Sequence, residues 1–256
     1  MNKLILATGC DENYLNKMNF LFNSVRKNSN FDRNCLLFLS DKKLDIDGIE
    51  THNVNINEID AITTIKCLQH GEFFKSKSFF ESTNEKDVIF FIDGDVAIQR
   101  ILTDEELNHF RKFQDNDVFI GYNMSPYQTL ADESKWIGPT FNSVDIFTED
   151  WNKIKCYNTG VIAMNKKTWI KLMNQYIIWF PNINSMFKHY AKQQWLISYI
   201  IGTQNYNIIE MDYHIHNHNH NERVTTPYTE IDENGVVRYK NEIVLFKHKW
   251  DFNKKY

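Results

Sequence analysis

Two aspartates separated by one glycine end the apolar segment "DVIFFIDGDV", residues 87–96. In an extended segment residues i and i+2 project to the same side, so Asp93 and Asp95 are predicted to share one small volume. Hard divalent ions bind one or two carboxylates and complete their shell with phosphate oxygens. Gly94 leaves room for a bulky anion near the backbone. The pattern therefore indicates a Mg²⁺ or Mn²⁺ site that also holds a diphosphate, and the alternative is a solvated Asp-Gly turn.

Strand and helix patterns alternate around this segment. The predicted strands are 3–9, 34–41, 49–56, 87–96, 117–123, the first portion of 156–180, 206–212 and 242–250. The predicted helices are 13–27, 71–83, 103–113, the rest of 156–180 up to the residue before Pro181, and 190–201. Such alternation predicts an α/β fold with a central, mostly parallel sheet flanked by helices. In these sheets ligands bind beyond the carboxyl ends of the strands, which is where the two aspartates lie.

Local signals refine this pattern at two places. Thr103 and Glu106 have the spacing of a capping box, which predicts a helix start. Residues 124–155 show no clear period, and an irregular stretch of that length is usually functional or mobile.

Composition limits the classes of function. A chain of 256 residues fits one domain, and its net charge of -4 gives no basic surface for nucleic acid. The four cysteines form no CxxC pair, which argues against a zinc ribbon or disulfide scaffold and favours a reducing compartment. The sequence contains no apolar run of about 18 residues and no secretory signal pattern, so we expect a soluble, cytoplasmic protein without a membrane span.

The sequence resembles the GT-A type nucleotide-sugar glycosyltransferases, and among them glycosyltransferase family 8, the galactosyltransferase and glycogenin group. Four stretches carry the resemblance in the expected order: "ATGCDENY", "FFIDGDV", "YNTGVIAMNKKTW" and "HKWDFNKKY". The resemblance implies a single GT-A type (Rossmann-like) domain over 1–256. Residues 1–123 would bind the nucleotide, and residues 124–256 would bind sugar and acceptor and end in a metal and diphosphate segment.

The resemblance also implies roles for individual residues. Nucleotide contacts are expected from Thr8, Asp11, Asn13, Tyr14, Lys75, Lys77, Asp93, Gly94 and Lys254. Metal ligands are expected to be Asp93, Asp95 and His248. Lys75 and Lys77 stand where the family often has an arginine, and a solvated helix face is their alternative. The C-terminal match is partial because Asp251, Lys255 and Tyr256 replace a glycine, a proline and a tryptophan.

Catalytic roles are expected for Asp95, Asn158 and Gln194. Gln194 fits the glutamine of the family's Asp-Gln pair, whereas Gln193 stands where the family has the aspartate that contacts the transferred sugar. Gln cannot carry a negative charge, so any charge-dependent role at that position is lost or moved. The identity of the transferred sugar therefore cannot be inherited from the family.

The implied reaction is transfer of a hexose from a UDP-sugar to the hydroxyl of a glycan or protein acceptor, with Mn²⁺ (or Mg²⁺) and Lys254 stabilising the leaving diphosphate. The family implies retention of the anomeric configuration. An inverting enzyme would instead need a base, and the irregular region offers Asp132, Glu133, Asp145 and Asp150. The rival functions are a sugar nucleotidyltransferase and a carbohydrate-binding or scaffold protein without turnover.

Two further sets of residues have open interpretations. His214, His216, His218 and His220 alternate, which fits a zinc site, an acceptor surface or a polar loop. Trp136, Trp169, Trp179 and Trp195 could stack on sugar rings, but the helical spacing of Trp169 and Trp195 favours the core.

Overall fold

The structure is a computed structural model that describes residues 1–54, 77–122, 128–138, 147, 149–187, 189, 191–212, 215–218 and 229–248. The strands are β1 (Leu4–Asp11), β2 (Arg33–Leu39), β3 (Glu50–Asn53), β4 (Val88–Ile92), β5 (Val96–Ile98), β6 (Asp117–Tyr122), β7 (Tyr157–Asn165), β8 (Asn207–Met211), β9 (His216–His218), β10 (Thr229–Ile231), β11 (Val237–Tyr239), β12 (Glu242–Ile243) and β13 (Phe246–His248). The helices are α1 (Glu12–Leu15), α2 (Asn19–Asn28), α3 (Lys77–Glu81), α4 (Asp104–Phe110), α5 (Leu130–Ile137), α6 (Lys166–Met186) and α7 (Lys192–Thr203), and a 3₁₀ turn, Asn16–Met18, joins α1 to α2.

The central sheet has the strand order β3-β2-β1-β4-β7-β6-β8. β7 runs antiparallel to both of its neighbours, and every other neighbouring pair is parallel. All residues of β4 and β7 are buried, as expected for apolar strands that are covered by helices on both faces. The mostly parallel α/β sheet predicted from the sequence is therefore confirmed.

Two hydrophobic clusters cover the two faces of this sheet. Alternation along β1 sends Leu4 and Leu6 to one cluster and Ile5 and Ala7 to the other. The first cluster includes apolar residues of α2 and α4, and the second includes those of α5, α6 and α7. β1 and β4 are neighbours in the sheet and run parallel, so their carboxyl ends lie together at one edge of the sheet, the carboxyl edge.

Tryptophans anchor the second cluster. Trp169 and Trp195 are fully buried, which confirms their predicted core location. The indole of Trp169 donates to the carbonyl of Ile89 at 3.1 Å, so its polar group is satisfied inside the core.

A small sheet in the order β5-β13-β9 brings the end of the described chain back to the central sheet. β13 pairs antiparallel with β5, and His248 lies opposite Val96. The sequence predicted one strand over 242–250, which is wrong because β12 and β13 belong to different sheets. Between these two strands Val244 and Leu245 are fully buried, so the apolar run includes a buried connecting segment as well as the strands.

The helix predictions were right at the start of α4 and wrong at the end of α6. Thr103 and Glu106 form the predicted capping box at the start of α4. α6, however, continues through Pro181 to Met186. Beyond the proline Ile183 and Met186 are buried, and their packing outweighs a helix cost of about 3 kcal/mol for an internal proline.

The stretch predicted to be irregular contains α5. Thr129 caps this helix by accepting from the backbone N–H of Asp132 at 3.2 Å. Its buried side includes two polar residues, Glu133 and Ser134, which hide the helical period of its apolar residues. Among the described helices, none is both long and apolar enough to cross a membrane.

Candidate functional site

Asp93, Gly94 and Asp95 form a turn that leads from β4 into β5. The N–H of Val96 donates to the carbonyl of Asp93 at 3.1 Å, which closes this turn. The predicted extended geometry of the two aspartates is therefore wrong, because the chain reverses here to start the pairing of β5 with β13. The turn nevertheless directs both carboxylates toward the same partner, His248.

His248 completes a cluster with the two aspartates. Its Nε2 lies 3.8 Å from Asp93 Oδ2 and 3.3 Å from Asp95 Oδ1. Ligand atoms at about 2.1 Å around an octahedral cation lie roughly 3.0 Å apart, so the separation between His248 and Asp95 is close to that of one coordination shell, and the separation between His248 and Asp93 is longer. The imidazole is buried, whereas the aspartate side chains are 27% and 30% exposed. The donor set fits Mn²⁺ or a similar ion and leaves its outer side accessible to ligands.

The position of His248 depends on Gly160 in β7. A Cβ atom on residue 160 would lie 2.0 Å from Cε1 of His248, so the imidazole occupies the space that any other side chain would need. Gly160 also holds the turn, since its carbonyl accepts from the N–H of Asp93 at 2.9 Å. Gly160 was not among the predicted site residues, although a lone glycine in an otherwise bulky buried strand signals such a close approach.

β7 departs from its regular pairing at the same point. Ile120 of β6 pairs with Ile162, but the next residue, Gly121, pairs with Asn158. Thr159, Gly160 and Val161 therefore lie outside the β6 register, and we call these three residues the β7 bulge. Bulges of this kind turn a strand locally and often occur next to functional sites.

Asn158 and Gln194, both predicted to be catalytic, are brought together beside the β7 bulge. Asn158 Nδ2 donates to Gln194 Oε1 at 3.4 Å, and Asn158 Oδ1 accepts from the N–H of Gly160 at 3.0 Å. Gln194 is half-buried, whereas every other residue from Lys192 to Ile201 is buried. The helix α7 thus presents this one side chain toward β7 at the edge of its buried face.

The predicted nucleoside loop lies at the carboxyl end of β1. Asp11 caps α1 by accepting from the N–H of Tyr14 at 3.0 Å and from Asn13 Nδ2 at 3.3 Å. The Tyr14 side chain is 53% exposed and therefore available to a ligand. Thr8 is buried, and its hydroxyl has no hydrogen-bond partner among the residues that the structure describes.

Met18 connects this loop with the Asp93–Asp95 turn. A Cβ atom on Gly94 would lie 3.4 Å from the Met18 methyl group. The nucleoside loop and the metal cluster are thus neighbours, as a nucleoside diphosphate bound across both would require.

Several predicted site residues lie outside the described residues. Lys75, Lys254, Asp145, His214 and His220 belong to this set, and of Lys77 only the helical backbone is described. His216–His218 forms β9, which pairs parallel with β13 so that residue 218 lies opposite His248. The histidine-rich segment therefore includes a strand beside the candidate metal cluster.

The remaining candidate bases differ in their surroundings. Asp132 and Asp150 are surface groups whose pKa values are lowered by hydrogen bonds, from Thr129 and Lys135 to Asp132 and from Asn152 and Lys153 to Asp150. Glu133 is instead 1% exposed, and its Oε1 accepts from Gln194 Nε2 at 3.1 Å. Glu133 is therefore in contact with the candidate site through Gln194.

A second group of donor atoms, on Cys35, Glu50 and His52, lies on neighbouring strands β2 and β3. Arg33 donates to both carboxylate oxygens of Glu50 at 2.9 Å, and its Nη2 lies 3.4 Å from His52 Nε2. A cation already neutralises this group, so we interpret it as an ion-paired edge of the sheet.

His52, in this ion-paired edge, should make the stability of the fold depend on pH. Burial lowers the pKa of His52, with Glu50 opposing and Arg33 adding to the effect. Below the unfolded pKa of about 6.5 the unfolded chain binds a proton that the folded chain resists, so stability should fall as the pH drops. His52→Gln should flatten the fall in urea unfolding free energy between about pH 7 and pH 5, whereas the exposed His109→Gln should not. Equal slopes in wild type and His52→Gln would contradict this interpretation.

Three solved structures of known proteins share the fold. Galactosyltransferase LgtC in complex with donor and acceptor sugar analogues has a TM-score of 0.56 and 14% identity, over 96% of this chain and 86% of that chain. An active-site mutant of LgtC has a TM-score of 0.55 and 13% identity over the same shares. Mouse xyloside xylosyltransferase 1, in its apo form, has a TM-score of 0.56 and 13% identity, over 100% of this chain and 99% of that chain.

Sequence comparisons add no assignment, since no protein-family model matches the chain and no curated protein matches it significantly. Identities of 13–14% relate the folds and leave the activity to be argued from the site. The architecture expected from the four sequence stretches is confirmed: the chain has the GT-A type fold of nucleotide-sugar glycosyltransferases.

Proposed function

We propose that this protein is a metal-dependent glycosyltransferase that moves a hexose from a nucleotide-diphosphate sugar, expected to be a UDP-sugar, to the hydroxyl of a glycan or protein acceptor. The observation that carries the proposal is the convergence of Asp93, Asp95 and His248 at the carboxyl edge of a GT-A type sheet. Ligands bind at this edge in open α/β sheets. The neighbouring structures include a galactosyltransferase holding donor and acceptor sugar analogues, which supports the same class of reaction.

Asp93, Asp95 and His248 would hold the cation; the two carboxylates suit both Mn²⁺ and Mg²⁺, and the imidazole nitrogen favours Mn²⁺, the softer of the two ions. When bound there, such a cation supplies positive charge to the diphosphate oxygens as the sugar bond breaks. The buried imidazole has little freedom to move, because Gly160 lies against it. The partly exposed aspartates would bind the ion from the side open to the donor.

The remaining roles are those that the resemblance of the sequence implies. In the proposal Asp11, Asn13 and Tyr14 bind the nucleoside, while Lys75, Lys77 and Lys254 neutralise the phosphates. Residues 1–123 would form the nucleotide-binding region, and residues 124–256 would form the sugar and acceptor region.

Asn158 and Gln194 would contact the transferred sugar. Both belong to the second of these two regions. Asn158 accepts a hydrogen bond from Gly160, two residues further along β7, and donates one to Gln194. We propose retention of the anomeric configuration, and NMR assignment of the product anomer tests it directly.

Calorimetric titration tests the donor site. UDP and UDP-hexoses should bind with Kd values between about 1 μM and 1 mM in Mn²⁺ and should lose binding in EDTA, whereas GDP and GDP-hexoses should bind weakly or not at all. Product analysis then separates the rivals. Glycosyl transfer releases UDP and leaves the sugar on the acceptor, and donor hydrolysis releases UDP and the free sugar. A nucleotidyltransferase instead needs added pyrophosphate, with which it converts the UDP-sugar to UTP and a sugar 1-phosphate. Absence of nucleotide binding in both metal conditions would contradict the proposal and favour a scaffold protein.

A further inference from the structure

A buried carboxylate lies directly behind Gln194. Glu133 in α5 is 1% exposed, and its Oε1 accepts from Gln194 Nε2 at 3.1 Å. The two helices are also joined by the Trp195 indole, which donates to the Leu130 carbonyl at 3.1 Å and to Ser134 Oγ at 2.9 Å. These contacts hold α5 and α7 in one register, so Glu133 stays opposite Gln194.

The contact determines which end of the Gln194 amide faces the site. Glu133 Oε1 is the acceptor in this contact, so the Gln194 amide presents its NH₂ group to Glu133. Its oxygen then faces the opposite way, where Asn158 Nδ2 and the N–H of Thr159 each lie 3.4 Å from it. The opposite amide orientation would place oxygen against carboxylate and NH₂ against two donors, which is unfavourable at both ends.

This orientation is connected to the metal cluster by further hydrogen bonds. Asn158 Oδ1 accepts from Gly160 N–H at 3.0 Å, and the Gly160 carbonyl accepts from Asp93 N–H at 2.9 Å. The path from Glu133 therefore runs through Gln194 and the β7 bulge to the turn that carries the aspartates. A change at Glu133 would alter the polarity of the site without removing a group from the metal shell.

We propose that Glu133 is a positioning residue for the transfer reaction: it fixes the Gln194 amide so that the oxygen, and not the NH₂ group, faces the β7 bulge and the donor sugar. Glu133 is enclosed and acts on the site through Gln194. This inference rests on the proposed glycosyltransferase function. Burying a carboxylate is costly unless it is hydrogen-bonded, and the contact with Gln194 supplies one such bond.

The kinetic test compares Glu133→Leu with Glu133→Gln in metal-dependent donor cleavage. Glu133→Leu removes the acceptor and should lower kcat about tenfold to a hundredfold with the donor KM within about twofold, because the amide loses its fixed orientation. Glu133→Gln can still accept through its own amide oxygen and should keep most of the activity. Glu105, an exposed glutamate on α4, provides matched controls as Glu105→Leu and Glu105→Gln, which should match wild type.

A second test does not depend on activity. Gln194→Glu places a second carboxylate about 3 Å from the buried carboxylate of Glu133 and should lower Tm by roughly 5 °C or more. The exchanged pair Glu133→Gln with Gln194→Glu restores one donor facing one acceptor and should recover most of that loss. Failure of the exchange to recover Tm would show that the contact does not fix the amide and would overturn the inference.

Two different results would overturn the proposed function and the role of Glu133. Wild-type protein that neither binds nor cleaves UDP-sugars would overturn the proposed function and, with it, the role of Glu133. Wild-type protein that cleaves the donor, together with a folded Glu133→Leu variant whose kcat is unchanged, would overturn the role of Glu133 alone.

Discussion

Replacing Asp95 with asparagine is expected to lower metal-dependent cleavage of the donor by roughly three orders of magnitude. Asparagine keeps the shape of the side chain but removes a negative charge that lies 3.3 Å from His248 Nε2 in the cluster. The lost charge weakens the site for the cation and reduces the stabilisation of the leaving diphosphate, so kcat/KM should fall. The measurement is UDP release at several Mn²⁺ concentrations, and higher Mn²⁺ should recover some of the rate.

The control for Asp95→Asn is Asp41→Asn, which removes the same charge from an exposed loop position. It should behave as wild type. Asp95→Asn should keep its fold, because the Asp95 carboxylate is partly exposed and is not part of the hydrophobic core. Full activity of Asp95→Asn in Mn²⁺ would mean that the cluster does not carry the reaction, and the turn would then be a solvated loop.

The sequence was informative about the end of β4 and the Asp93–Asp95 turn because the signals there are local. A continuous apolar run ending in Asp-Gly-Asp predicts a buried strand followed by clustered charge, and both occur at β4 and the turn after it. Thr103 and Glu106 predicted a helix start for the same reason, since a capping box is complete within four residues. The resemblance then added His248, which no local pattern would have joined to the aspartates.

The remaining features depend on contacts between distant segments of the chain. Pro181 signals a helix end locally, but the apolar residues after it pack into the core and extend α6. The partners of Glu133 and Gly160 lie far away in sequence, on α7 and β13. Only the packing of those elements shows that a glutamate orients an amide and that a glycine makes room for an imidazole.

Replacing Gly160 with alanine is the most direct test of this packing, and it should damage both stability and metal binding. The added Cβ would lie 2.0 Å from His248 Cε1, so the imidazole must move or the β7 bulge must shift. Overpacking of this kind costs about 1–3 kcal/mol, which corresponds to a Tm loss of several degrees. Displacing a ligand by this route should weaken Mn²⁺ binding by about tenfold to a hundredfold.

Two comparisons assign that effect to the imidazole. Gly94→Ala adds a Cβ to the turn between the aspartates, where its nearest neighbours would be atoms of the flexible Met18 side chain at 3.4–3.6 Å, so its effect on Tm should be small. His248→Ala removes the ring, and in that background Gly160→Ala should cost much less stability than it does in the wild type, because the clashing atoms are gone. Gly160→Ala could instead lower stability by the same amount in both backgrounds. In that case residue 160 must be glycine because of strain in the β7 bulge and not because of contact with His248. The metal cluster would then owe its geometry to the pairing of β13 with β5 alone.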